Sequence, residues 1–169
     1  RNFCRSTKAH NTVEIDGRNS AEIWSAFRVA KRGYTSLLAY EDTKANATIS
    51  ALHNGYCHCL SDPVLHKRTV MRLKNEDIFA VKGILRYHFN PNCKITKVDD
   101  NTAVIDQKYL MYCSVPIKIE NCQIAEKFGI LHNSQCVSAE FTVDRRTIVY
   151  TAFSYRLNAN LITIQEWFN

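Results

Sequence analysis

The sequence is poor in the residues that break or loosen a chain. Only five of its 169 residues are Gly and three are Pro, well below ordinary usage, which excludes collagen-like and linker-like organisation. No apolar run approaches the roughly 18 residues of a membrane-spanning helix. The chain opens Arg1-Asn2-Phe3-Cys4-Arg5, with neither an initiator Met nor the apolar stretch of a signal peptide. The expectation is a processed or cut start, with any address removed. No C-x-x-C pair occurs among the seven cysteines, which disfavours zinc ribbons and thioredoxin-like motifs. An odd count also argues against a complete disulfide framework. Cys4, Cys57, Cys59, Cys93, Cys113, Cys122 and Cys136 are therefore expected as buried free thiols, packing as small hydrophobes. His53, Cys57, His58 and Cys59 lie close together, but on a strand they would alternate between faces, which is poor geometry for one ion. No block of five or six like charges is present, so a charged tail is excluded. The net charge of +6 favours an acidic partner such as nucleic acid, anionic polysaccharide or membrane head groups, and it equally fits a solvated basic surface.

What the sequence does contain is alternation. The apolar fraction is 46%, ordinary for a globular protein, and the length fits one domain spanning residues 1–169. In Cys136 to Val143, Val137, Ala139, Phe141 and Val143 alternate with polar neighbours, the pattern of a half-buried strand facing a core. Thr147 to Tyr155 resumes after Asp144-Arg145-Arg146, and the two segments read as a hairpin. Gly83 to Asn90 places Leu85, Tyr87 and Phe89 on one face. Shorter candidates are Thr12 to Asp16, Tyr34 to Tyr40, Ala47 to His53, Val64 to Leu73, Asp77 to Val81, Lys94 to Val98, Thr102 to Ile105, Tyr109 to Cys113 and Leu161 to Gln165. Turn signals at Asp16-Gly17, Asn54-Gly55 and Asp99-Asp100-Asn101 separate them. The fold expected is all-β, an antiparallel β-sandwich of about ten or more strands. Ser20 to Lys31 reads two ways. Ser20 as N-cap, with Ile23, Trp24, Phe27 and Ala30 on a stripe, gives one short helix near residues 20–30; its second half also fits a strand. His88, on a polar strand face, and His132, in a loop, read as structural or solvated.

The stretch Arg5-Ser6-Thr7-Lys8-Ala9-His10-Asn11-Thr12-Val13-Glu14-Ile15-Asp16-Gly17 puts a polar His-Asn pair just before a turn. It resembles the "R-S-T-x-A-H-N-T-V-x-x-D-G" signature of the heparinase II/III-like polysaccharide lyases. Glu22-Ile23-Trp24-Ser25-Ala26-Phe27-Arg28-Val29-Ala30-Lys31-Arg32 is similar to that family's "E-x-W-x-x-F-R-V-x-x-R". His53-Asn54-Gly55-Tyr56 is similar to its "H-D-G-Y" with Asn for Asp, and His66-Lys67-Arg68 to its "H-x-R". The ordered matches cover about the first 90 residues.

The resemblance implies a C-terminal β-sandwich whose parent protein carries an N-terminal helical toroid, a domain partner that this chain lacks. It implies a lyase cleaving uronic-acid-containing polysaccharide by β-elimination, using a base, an acid and a carboxylate neutraliser. Much of that apparatus lies on the toroid, so the isolated chain is expected to be inactive. Arg5, Asn11, His53, Tyr56, His66 and Arg68 are the expected substrate-binding residues, and Arg68 suits a bidentate carboxylate contact. The alternative for this group is a turn at Asn54-Gly55 with Tyr56 as a core anchor and the histidines on strand surfaces. His10 is the one residue carried over as a zinc ligand; with its upstream partners absent, the chain alone is expected to hold no zinc there tightly. The implied partner is an acidic polysaccharide, not nucleic acid, in an extracytoplasmic bacterial setting. A non-catalytic carbohydrate-binding module is the rival function.

Overall fold

The structure is a computed structural model that describes residues 2–127, 130–142, 146–162 and 164–168. Among these residues it is all-β, with thirteen strands joined only by antiparallel pairings. In chain order they are β1 (Glu22–Ser25), β2 (Arg28–Ala30), β3 (Thr35–Asp42), β4 (Asn46–His53), β5 (His66–Leu73), β6 (Ile78–Lys82), β7 (Arg86–His88), β8 (Ile95–Lys97), β9 (Thr102–Ile105), β10 (Tyr109–Cys113), β11 (Lys118–Lys127), β12 (Ile130–Ser138) and β13 (Tyr150–Ser154). One helical turn, α1 (Tyr56–Cys59), follows β4.

Eight strands form one sheet in the order β3-β4-β5-β6-β13-β10-β9-β8, and three form another in the order β11-β12-β7. The two sheets share a core. Val81, Met111, Ala103 and Ile105 from the large sheet pack in one buried cluster with Tyr87 and Val137 from the small one. The Tyr87 ring meets Phe153 edge-on, with centroids 5.2 Å apart, tying β7 to β13. The opposite face of the large sheet is also covered at its centre. Ile78, Ala80 and Ala152 pack there with Leu161 and Ile164, which belong to the C-terminal segment ending in a 3-10 helix over Ile164–Phe168. The central strands β6 and β13 are thus apolar on both faces, as Ala80-Val81 requires.

Several expectations give way. Ser20 to Lys31 is no helix: β1 and β2 form a hairpin with Glu22 opposite Ala30, and Trp24 and Phe27, two of the four stripe residues, are exposed. A helix buried along that stripe would have to cover both. Thr12 to Asp16 is no strand either. Only an isolated Ile15–Arg18 bridge forms around the Asp16-Gly17 turn, both residues at positive φ. Leu161 to Gln165 gives way to the 3-10 helix. The strand expected at Cys136 to Val143 starts earlier and ends at Ser138. Val137 and Ala139 are buried as expected, but Phe141, beyond the strand, is 38% exposed; Val143 lies outside the described residues. The expected hairpin with Thr147 to Tyr155 is absent, because β12 pairs with β11 and β7 while β13 pairs with β10 and β6. His132 sits within β12 rather than in a loop. Among the cysteines all seven thiols are free, but only Cys113 and Cys136 are fully buried. Cys57 and Cys59 lie on α1, not on a strand.

Candidate functional site

Residues 2–20 are mostly irregular, and their backbone is held by side chains rather than by ladders. Buried Thr7 is the hub: its N–H donates to Asn19 Oδ1 at 2.8 Å, and its Oγ1 accepts from the Ser20 N–H at 2.9 Å. Asn11 reaches the small sheet, its Oδ1 accepting from the His88 backbone N–H at 2.7 Å. Tyr56 on α1, 1% exposed, donates its hydroxyl to Val13 O at 2.9 Å. Burial raises its pKa first, with Glu14 and Cys59 adding to the rise. Tyr56 therefore anchors the Val13–Arg18 loop, and its hydroxyl is already occupied.

This arrangement leaves a cleft of about 400 Å³ between the N-terminal segment and the β4–β5 end of the large sheet. Arg5, His10 and Asn11 line it from the segment, and His53, Tyr56, His66 and Arg68 line it from the other side. The structure thus brings every site residue expected from the sequence to one cavity. Among the described residues no carboxylate lines the cavity.

His53 and His66 face each other in register at the ends of β4 and β5. The His66 Nε2–H donates to Gly83 O at 2.5 Å, so its Nδ1 carries the lone pair. Gly83 lets the chain leaving β6 pass close to the β5 backbone: its φ is +92, and a Cβ there would stand 2.3 Å from Lys67 O. His53 Nδ1 accepts from the Gly55 N–H at 3.3 Å, and Gly33 packs so close that a Cβ would fall 2.3 Å from His53 Nε2. Burial first, and then the Arg68 charge, hold both imidazoles below their ordinary pKa, against the pull of the Gly83 carbonyl on His66. Both rings are neutral at neutral pH.

Arg68 Nη2 donates to Asn11 O at 3.1 Å and Thr12 Oγ1 at 3.0 Å. Its Nε is buried without a hydrogen-bond acceptor, and among the described residues it forms no ion pair. Burial lowers the guanidinium pKa, yet arginine stays charged at neutral pH. A half-buried cation with an orphaned Nε–H is costly to leave so, and an anion beside the guanidinium would offset its charge. His10 is exposed, its Nε2 at 3.1 Å from Cys4 O; Arg5 donates from Nη1 to Ser25 O. Thr7, Thr12, Asn19 and Ser20, which also line the cavity, were not among the expected binding residues. Thr7 and Thr12 stand inside the quoted signature, Ser20 was read only as a helix cap, and Asn19 carries no signal of its own.

The fold and cleft define an all-β, carboxylate-free cationic pocket built largely by an irregular N-terminal segment. A family model described as "Heparinase II/III-like, C-terminal" matches residues 1–148, and the chain belongs to that family, a domain associated with polysaccharide lyases. Comparison with curated proteins found no match.

Proposed function

We propose that this domain forms one wall of the cleft of a lyase that cleaves uronic-acid-containing acidic polysaccharide by β-elimination. The observation that carries the reading is Arg68: a half-buried guanidinium with an unpartnered Nε–H, lining a cavity with two neutral histidines and, among the described residues, no carboxylate. A uronate carboxylate docked against the guanidinium from the cavity would offset its charge. Its negative charge would be opposed as electron density moves into it on loss of the neighbouring proton, the role of a neutraliser. His66 Nδ1 and His53 then border the bound sugar as uncharged polar groups. Residues of an N-terminal helical domain would supply the opposite wall.

The zinc implied at His10 belongs to a longer protein with further ligands; in this chain His10 offers one imidazole, and among the described residues no three-ligand group includes it. A non-catalytic carbohydrate-binding role is the second reading, favoured by one observation: the Tyr56 hydroxyl is bonded to backbone and cannot serve as the proton donor.

The experiment is calorimetric titration of the chain with oligosaccharides of alginate, heparan and hyaluronan, with dextran as the neutral control. Binding is expected to at least one acidic sugar, and Arg68→Met should weaken it by about tenfold or more, the worth of one charge-assisted contact. Dextran bound as well as the acidic sugars, or Arg68→Met without effect, would overturn the reading.

A further inference from the structure

We propose a second site, a metal centre formed by His88, Cys122 and Cys136 on the outer face of the small sheet, that binds one zinc ion. One ligand atom from each of these residues lies within 4.8 Å of the other two, and no other three-ligand group occurs among the described residues.

The register makes the cluster. Cys136 on β12 stands directly opposite His88 on β7. Cys122 on β11 stands opposite Ser134, two residues from Cys136 and so on the same face. Their neighbours Val137 and Tyr87 point the other way, into the core. Zinc bonds of about 2.0 Å to nitrogen and 2.3 Å to sulfur place tetrahedral ligand atoms roughly 3.5–3.8 Å apart, so closure needs movements of about an ångström. Two thiolates and an imidazole form a soft donor set that suits zinc and disfavours magnesium or calcium.

One further observation fits. Asn11 Oδ1 can only accept, so the 3.1 Å contact from His88 Nδ1 fixes the proton there and leaves Nε2 with its lone pair. An orienting hydrogen bond of this kind accompanies most ligating histidines. With three protein ligands the fourth position is left to water or a small ligand, on the half-exposed side of His88 and Cys122. Because Asn11 holds both Arg68 and His88, a metal here would brace the wall of the cleft from behind.

The test is cobalt titration of the chelator-treated, reduced chain. One equivalent is expected to bind with a thiolate-to-cobalt charge-transfer band and the intense visible bands of a tetrahedral site, and zinc should displace it. Cys122→Ser, at a half-exposed position, and His88→Gln should each abolish the charge-transfer band or cut it by about half or more, while Cys59→Ser leaves it intact. A second measurement needs no variant: zinc should protect Cys122 and Cys136, but not Cys59, from alkylation read by peptide mass. No charge-transfer band in the reduced wild-type chain, an unchanged band in Cys122→Ser, or a Cys122–Cys136 disulfide in chain isolated anaerobically would overturn the proposal. Acidic-sugar binding and its loss in Arg68→Met are read separately, so either idea can fail alone.

Discussion

At the scale of the residue, burial governs the cleft's chemistry more than pairing does. His53, His66 and His88 are all held below the ordinary imidazole value of 6.5, in each case by burial first and then by a neighbouring positive charge. Their neutral forms are favoured by folding, so the unfolded chain takes up protons first as pH falls. The stability they contribute is present above about pH 6.5 and is lost as pH drops through the folded values. Asp42 and Glu140 have the same sign, but their ordinary values of 3.8 and 4.5 place their effect lower. Urea midpoints measured between about pH 7 and about pH 5.5 should therefore fall, and His66→Gln, which removes the most buried imidazole, should flatten that slope. A wild-type midpoint that is level or rises over this window would show that the rings are charged in the folded state.

At the scale of the element, strands were legible where a turn residue brackets a short alternating run. β9 and β10 match their sequence-derived bounds, and β4 and β5 agree within one and two residues. β11 was invisible for a physical reason. Its apolar residues Ile119, Cys122, Ile124 and Ala125 do not alternate along its length, and the ladder with β12 shifts register between Ile124 and Lys127, so no sustained period of two survives. Most of its ten residues are exposed or half-exposed and polar. Missing β11 displaced β12, and Phe141 was wrongly assigned to the core. The cleft was legible because its residues sit in ordered motifs, whereas the His88–Cys122–Cys136 cluster depends on a register that the sequence conceals. The corrected register predicts opposite costs for neighbouring substitutions. Val137→Ala removes two methyl groups from a fully buried site and should destabilise by about 2 kcal/mol. Phe141→Ala, at a position 38% exposed, should cost less than about 1 kcal/mol. Denaturant midpoints with unchanged slope check both, and a larger loss at Phe141 would restore the longer strand.

At the scale of the whole molecule, the proposed role gives the cleft only part of an eliminating apparatus. β-Elimination needs a group to take the proton beside the carboxylate, a group to protonate the leaving oxygen, and a charge to hold the carboxylate. In the proposed role Arg68 would meet the third need. His66 Nδ1 and His53 are neutral and within the cavity, but the one tyrosine lining it, Tyr56, spends its hydroxyl on Val13 and Arg18 carbonyls and has its pKa raised by burial. The opposite side of the sugar would also stay in water, which weakens every charge contact in a cleft with one wall. The 169-residue chain should therefore bind acidic oligosaccharide without cleaving it. Incubation with heparan, alginate and hyaluronan, followed by the ultraviolet absorbance of unsaturated uronate, should show no rise above a buffer control. A sustained rise that scales with protein and disappears in Arg68→Met would place the complete acid–base set on this chain, with His53 and His66 the first candidates for proton transfer.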